Sequence, residues 1–158
     1  MARFFLCRHG QTAWNQEQRF RGRKDIPLSE QGLREAEAVA DALEPLKIEV
    51  IYASPLSRSM QTLEPLARRL NKEVIPYDDL IDMNFGEWEG LLLEEAKTRD
   101  SELFHAWSES PERVTFPGGE SLAQVQARAM RAISRLAIEF PDQNIAVCSH
   151  RVVTKLIT

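Results

Sequence analysis

The 158-residue sequence predicts an α/β protein in which a mostly parallel sheet is flanked by helices on both faces. Two observations support this fold class. Short apolar runs, which are typical of buried strands, alternate along the chain with longer segments whose apolar residues recur at the helical period. Strands that are separated by helices generally form a parallel sheet covered on its two faces.

Four apolar segments are predicted to be the strands of this sheet. They cover residues 3–8, 50–53, 73–76 and 145–148. In folds of this class, ligands bind beyond the carboxyl ends of the strands. The polar residues that follow each strand are therefore the first candidates for a functional site.

Five segments are predicted to be helices. The first begins at the N-cap residue Ser29 and ends at Pro45, and the second begins at Pro55. Pro65 lies within the second helix and is expected to kink it or divide it in two. The remaining helices are predicted over residues 93–108, after the FPGGES turn at 116–121, and over residues 152–158.

The composition argues against several classes of partner. Apolar residues make up 43% of the chain and charged residues 28%, as in an ordinary globular protein. No run of 18 apolar residues could span a membrane, and the N-terminus lacks a secretory signal. The net charge of −4 argues against a nucleic-acid partner. We therefore expect neither a membrane nor a nucleic acid as partner.

The two cysteines, Cys7 and Cys148, lie in apolar strand segments and lack the spacing of metal ligands. This usage indicates a reducing compartment, and a cytoplasmic location is expected. Strand alternation places each cysteine on the same face as the histidine two residues later, His9 or His150. Both thiols are expected to act as small buried hydrophobic groups.

The first 24 residues are strongly basic. Their only acid is Glu17, and the net charge of this stretch is +5, which leaves −9 for the rest of the chain. Its basic residues are Arg3, Arg8, Arg19, Arg21, Arg23 and Lys24. A basic patch on an acidic protein suits a small anionic ligand, although a solvated basic loop is the alternative.

Five polar residues near the predicted strand ends could carry chemistry. They are two imidazoles, two guanidiniums and one amide: His9, His150, Arg8, Arg58 and Asn15. The sequence has no nucleophile elbow, no Walker loop and no Cys-x-x-Cys or His-Glu-x-x-His motif, so neither a metal nor a cofactor is predicted. An imidazole is then a candidate nucleophile, and arginines can hold a phosphoryl group.

Six motifs extend this pattern over nearly the whole chain. In order they are FLCRHGQTAWN, RFRGRKDIPLSEQG, YASPLSRSMQT, MNFGEWEGL, FPGGESLAQVQAR and VCSH. Together they resemble the histidine phosphatase superfamily, the phosphoglycerate-mutase-like proteins. The resemblance implies the phosphoglycerate-mutase-like three-layer sandwich and a single domain over residues 1–158. Because family members usually continue past the last helix into a further strand, it also implies that the usual C-terminal end is lacking.

The resemblance implies a role for each of the five polar residues. His9 would attack phosphorus and become a phosphohistidine. Arg8, Arg58 and His150 would surround the transferring group, with assistance from Asn15. Cations fixed around this group would stabilise the negative charge of the transition state.

The general acid of the family stands four residues before the glycine of the FGxWEG stretch, and Asp82 occupies that position. Many members have glutamate there, which is one methylene longer. Glu87 and Glu89 lie nearby in the sequence and remain alternatives, although Glu89 is expected to anchor the loop. A carboxyl group would protonate the leaving alkoxide, and its carboxylate would then activate water.

Substrate binding is predicted at Arg21, Glu87 and Arg151. Arg151 stands where the family often has glycine, so its side chain either adds a cation to the pocket or points to solvent. The cluster of Arg19, Arg21 and Arg23 could hold a second anionic group of the substrate.

The resemblance implies a metal-independent phosphatase of the histidine acid type that acts on a small phosphomonoester and needs no cofactor. The short stretch between Asp82 and His150 resembles the phosphatase branch, whereas mutases usually carry extra segments over the substrate. The alternatives are a phosphoglycerate mutase, a phosphatase acting on phosphorylated protein, and a non-catalytic phosphate-binding module. The sequence predicts no oligomeric state.

Overall fold

The computed structural model describes residues 1–158 and contains a single four-stranded sheet. Its strands are β1 (Arg3–Arg8), β2 (Val50–Ala53), β3 (Ile75–Pro76) and β4 (Asn144–Ser149). They lie in the order β1-β4-β2-β3, and every pair is parallel. The predicted fold class is confirmed.

Seven α-helices connect the strands and cover the sheet. They are α1 (Ala13–Gln16), α2 (Glu30–Leu43), α3 (Ser57–Arg69), α4 (Leu93–Arg99), α5 (Ser101–Glu109), α6 (Leu122–Glu139) and α7 (Arg151–Ile157). Short 3-10 turns cover residues 44–46, 78–80, 86–88 and 111–113. None of the helices combines the length and the apolarity needed to cross a bilayer.

The sheet has an apolar core on each of its faces. On one face, Leu63 and Leu66 of α3 pack with Ile51 of β2, and α2 joins the same cluster. On the other face, Leu136 of α6 packs with Ile145 of β4. Each fully buried side chain of this kind stabilises the fold by about 2 kcal/mol. The sheet thus holds the ends of its strands in fixed positions.

A third core consists largely of aromatic rings and lies beside the loop that follows β3. The ring of Phe116 lies 5.1 Å from that of Phe85 and 5.2 Å from that of Trp88, in edge-to-face contact. Phe20 contacts both Phe85 and Trp88 in the same way. Aromatic pairs of this geometry add to the free energy of burial. The cluster therefore anchors the loop around residues 82–90 near the sheet.

Three predicted elements differ from the structure. The helix predicted over residues 93–108 is two helices, because the side chain of Asp100 caps the backbone N–H of Leu103 and starts α5 anew. The third strand has only two residues instead of four. Pro65 does not divide α3, which continues through it to Arg69. A proline removes only one backbone donor, and Pro65 is buried on the face of α3 that packs inside the fold.

Candidate active site

The candidate active site lies beyond the carboxyl ends of β1, β4 and β2, where open parallel sheets bind their ligands. His9 directly follows β1, and His150 directly follows β4. Because these strands are paired neighbours, the two imidazole rings lie 5.2 Å apart between centroids. Arg58, in the first turn of α3, reaches the same place from β2. All three side chains are buried.

The surroundings of His9 leave one ring nitrogen available. Nδ1 lies 2.7 Å from the carbonyl oxygen of Gly10, which can only accept, so Nδ1 carries the proton of the neutral ring. Nε2 is buried and has no hydrogen-bond partner. Burial lowers the pKa of His9 to about 3, and the positive charges of Arg58, Arg21 and Arg8 contribute. The ring is therefore neutral, with a free lone pair on Nε2.

The imidazole ring of His150 is held by a hydrogen bond with a serine. Its Nε2 lies 2.7 Å from the hydroxyl oxygen of Ser54, the residue that follows β2. This contact turns Nδ1 toward the site, where it lies 3.4 Å from Oδ2 of Asp82. Burial, with the charge of Arg58, lowers the pKa of His150 well below its ordinary value. Ser54 is not among the predicted site residues, although its position directly after a predicted strand was an available signal.

Arg58 is fully buried and is fixed by the loop that follows α1. Its Nη1 donates to the carbonyl oxygen of Lys24 at 2.6 Å, and its Nη2 donates to that of Gly22 at 2.7 Å. Nη2 also donates to Oδ2 of Asp82 at 3.1 Å, while Nε has no partner. These contacts hold a permanent positive charge beside the two histidines.

Asp82 lies at the centre of this group and is 5% exposed. Its Oδ1 accepts from the backbone N–H of Met83 at 2.8 Å, and its Oδ2 accepts from Arg58. Burial raises the pKa of this carboxyl group and outweighs the two contacts, which lower it. Asp82 thus keeps its proton to a higher pH than an ordinary aspartate, as a general acid requires.

The two alternative acids lie elsewhere. The side chain of Glu87 is 62% exposed, and its carboxylate pairs with Arg99 at 3.6 Å, outside the site. The structure therefore does not place Glu87 where it could serve as acid or contact a substrate. Oε1 of Glu89 accepts from the backbone N–H of Arg23 at 2.9 Å, which anchors the loop.

The site opens into a cavity of about 990 Å³. Arg8, Asn15, Arg21, Asp82 and Arg151 are among the residues that line it. The Oδ1 atom of Asn15 accepts from Thr12, which leaves its amide N–H groups free for a ligand. The side chain of Arg151 lines the cavity and is also exposed to solvent. No three His, Cys, Asp or Glu side chains are grouped as metal ligands would be.

The three clustered arginines of the N-terminal loop have different surroundings. Arg19 pairs with Glu17 and donates to the carbonyl oxygen of Gly90 at 2.8 Å. Arg23 lies 3.4 Å from the carboxylate of Glu120. Only Arg21 makes no side-chain hydrogen bond or ion pair, and its Nε is buried. The structure therefore leaves one of the three, Arg21, free for a ligand.

The comparison with known proteins decides the family. A model of the histidine phosphatase superfamily (branch 1) matches residues 4–158. The chain belongs to this superfamily. Phosphoserine phosphatase 1 of Hydrogenobacter thermophilus is 38% identical over 152 residues, which cover 96% of this chain and 72% of that protein. The metal-independent phosphoserine phosphatase of Arabidopsis thaliana is 32% identical over 155 residues, which cover 96% of this chain and 65% of that one.

Solved structures of this superfamily have the same fold. Bacillus stearothermophilus YhfR superposes with a TM-score of 0.95 at 28% identity, covering 99% of this chain and 78% of that one. The relatives of this protein within the superfamily differ in length. Three mycobacterial relatives are 36% identical over 156 residues, and the match covers only 43% of each.

Two residues that were not among the predicted site residues, Arg128 and Glu120, hold the loop that carries Asp82. Arg128 of α6 donates to the backbone carbonyl oxygens of Asp79, Ile81 and Asp82 at 2.6–3.0 Å. It also pairs with Glu120, which in turn accepts from the backbone N–H of Asn84. The available signal was a charged residue at a helix position where the apolar stripe predicts burial.

Replacing Arg128 with alanine is expected to displace Asp82 and to leave the carboxylate of Glu120 without its main partner. We expect kcat to fall by about 10- to 100-fold for alkyl phosphates and less for aryl phosphates, because only the former need the acid. The measurement is the ratio of the two rates, with Arg128→Lys as a partial rescue. Arg135→Ala, an exposed change on the same helix, is the control. Equal losses on both substrate types would show a merely structural role.

Acid is expected to destabilise the protein between about pH 6.5 and 3. The folded pKa of His9 is about 3, below its ordinary value of 6.5, so the unfolded chain takes up this proton first. Its contribution to stability is complete above pH 6.5 and is lost, by up to about 5 kcal/mol, as the pH falls through this window. Urea unfolding from pH 7 to 4 measures the loss.

His9→Asn is the matched variant for this measurement, because its amide can still donate to the carbonyl of Gly10 but does not titrate. We expect its stability to fall less steeply with acid than that of the wild type. Parallel curves for the two proteins would contradict the depressed pKa of His9.

Proposed function

We propose that this protein is a metal-independent phosphatase that hydrolyses a small phosphomonoester through a phosphohistidine on His9. The observation that carries the proposal is the buried Nε2 of His9, which has a free lone pair and no partner. The positive charges of Arg8, Arg21 and Arg58 lie close enough to this ring to lower its pKa. This arrangement offers both a nucleophile and the charges that attract a phosphoryl group.

In the first step, Nε2 of His9 attacks phosphorus, and the bond from phosphorus to the leaving oxygen breaks. The proton of Asp82 passes to that oxygen, so the alcohol leaves neutral. Arg8, Arg58 and His150 stabilise the charge on the other phosphoryl oxygens. Nδ1 of His9 keeps its proton throughout, held by the carbonyl of Gly10.

In the second step, water attacks the phosphohistidine. The carboxylate of Asp82 takes a proton from this water, the P–N bond breaks, and His9 returns to its neutral form. Inorganic phosphate leaves, and Asp82 is again protonated for the next cycle. The raised pKa of Asp82 suits this dual use, since the group must exchange its proton twice per turnover.

The names of the relatives support hydrolysis without a metal. One relative is named a phosphoserine phosphatase and another a metal-independent phosphoserine phosphatase. The residues above supply the nucleophile, the acid and the positive charge from this chain alone. The partner of the reaction would be a small phosphorylated compound, with neither nucleic acid nor membrane taking part.

The test is hydrolysis of p-nitrophenyl phosphate in the presence of excess EDTA. We expect the rate to equal that measured without chelator, and added Mg²⁺ to leave it unchanged. A rate that disappears with EDTA and returns with a divalent cation would overturn the metal-independent proposal. Exchange between 2- and 3-phosphoglycerate without release of phosphate would identify a mutase instead.

A further inference from the structure

Four cationic side chains line the active-site cavity without any partner in the chain. They are Arg8, Arg21, Arg151 and Lys155, and none makes a side-chain hydrogen bond or ion pair. Of these four, Arg21 is half-buried and the other three are exposed, whereas the buried arginines are paired: Arg58 with Asp82, and Arg128 with Glu120. Neighbouring cations without counter-ions repel one another, so an anion is the natural occupant of the space between them.

The charge in this cavity exceeds what one phosphoryl group uses. Asp82 is the only acidic residue among those that line it. Glu35 also attracts Arg8, but it accepts from the backbone N–H of Gln11 and does not line the cavity. If Arg8 and Arg58 hold the transferring group, the remaining three cations have no assigned ligand.

We propose that Arg21, Arg151 and Lys155 form a second anion subsite, which binds a carboxylate or phosphate group on the leaving-group side of the substrate. This inference rests on the proposed phosphatase function and deepens it. Arg151 directly follows His150, and Lys155 lies one turn further along α7, about 6 Å away. The second anionic group is therefore close to the phosphoryl group, and the substrate is compact.

The uncharged part of the cavity lining also bears on substrate specificity. It consists mainly of apolar side chains, among them Trp107, Leu122 and Leu156. Apart from Asp82, no carboxylate in the lining could pair with a positive group of the substrate. A substrate tail with a negative charge is therefore favoured over a neutral tail, and a positively charged tail is disfavoured.

Three two-carbon alkyl phosphates that differ mainly in tail charge test the subsite: phosphoglycolate, 2-hydroxyethyl phosphate and phosphoethanolamine. We expect kcat/KM to decrease in that order, by about tenfold at each step. In the double variant Arg151→Gln/Lys155→Gln, the preference for phosphoglycolate over 2-hydroxyethyl phosphate should shrink to about twofold or less. Arg135→Gln on α6, an exposed cation without an ion pair, should retain the full preference.

The outcomes separate this inference from the proposed function. Hydrolysis of all three compounds with equal efficiency would uphold the phosphatase and overturn the subsite. An unchanged preference in the double variant would also overturn it. If none is hydrolysed, the subsite is tested by binding alone, and the proposed function fails only when p-nitrophenyl phosphate is not hydrolysed either. Phosphoglycolate should then raise the thermal unfolding midpoint more than 2-hydroxyethyl phosphate does, and equal shifts would overturn the subsite.

Discussion

Replacement of His9 by alanine is expected to lower kcat/KM for p-nitrophenyl phosphate by about 10⁴-fold or more. The phosphorus would lose its nucleophile, and no other group could take that place. His150 lies only 5.2 Å away, but its Nε2 is held by the hydroxyl of Ser54, and it faces Asp82 with Nδ1. The cations would still bind phosphate, so the loss should appear in kcat more than in KM.

His105→Ala is the matched control for this experiment. His105 is the only other histidine of the chain, and it lies exposed on α5. This variant should hydrolyse p-nitrophenyl phosphate at the wild-type rate. Rapid acid-free quenching during turnover should trap phosphate on the wild type and not on His9→Ala. A His9→Ala protein that keeps more than about one per cent of the activity would exclude the phosphohistidine route.

The position of His9 and His150 could be predicted because it depends on strand ends alone. Both follow short apolar segments, and the parallel sheet brings the ends of β1 and β4 together. The same register pairs Cys7 with Cys148; Cys148 is buried as expected, whereas Cys7 is only partly buried and packs against the same core. Periodicity and the strand-end rule therefore sufficed to place the two histidines.

The environment of the loop arginines could not be predicted from the sequence. Arginine occupies every second position from residue 19 to residue 23, yet only Arg21 has no hydrogen-bond or ion-pair partner for its side chain. The partners that distinguish them, such as Gly90 and Glu120, are distant along the chain. Tertiary contacts decide which arginine is free to bind a ligand, and these contacts cannot be inferred from the residue types.

The loop around residues 82–90, which carries Asp82, shows a second limit of prediction from the sequence. Gly86 has a positive φ of 56°, and a Cβ there would lie 2.0 Å from the carbonyl oxygen of Pro117. The 3-10 turn that starts at this glycine buries Trp88 and leaves Glu87 in solvent. The sequence of the loop does not reveal this turn, so it does not show that Glu87 points away from the site. The preference for Asp82 over Glu87 therefore rests on the family resemblance alone.

Asp82→Asn is expected to separate substrates by their leaving groups. Alkyl phosphates should lose about 10²- to 10⁴-fold in kcat, because an alkoxide leaves poorly without a proton. Aryl phosphates should lose much less, since a phenolate leaves without full protonation. Asparagine has nearly the same shape, but its single carbonyl oxygen can accept from only one of the two donors, Arg58 or Met83. The backbone at this position stays held by Arg128, so the pocket should keep its shape. The measurement compares glycerol phosphate with p-nitrophenyl phosphate for both proteins.

The pH profile adds an independent readout of the same group. Because burial raises the pKa of Asp82, the wild type should keep its activity on alkyl phosphates to a higher pH than an ordinary aspartate would allow. Activity should then fall as the pH rises through that pKa and the acid loses its proton. In Asp82→Asn this alkaline limb should be absent. Glu87→Gln should leave both the limb and the substrate ratio unchanged, because its carboxylate lies in solvent beside Arg99. Equal losses for aryl and alkyl substrates in Asp82→Asn, with the limb retained, would mean that another group donates the proton.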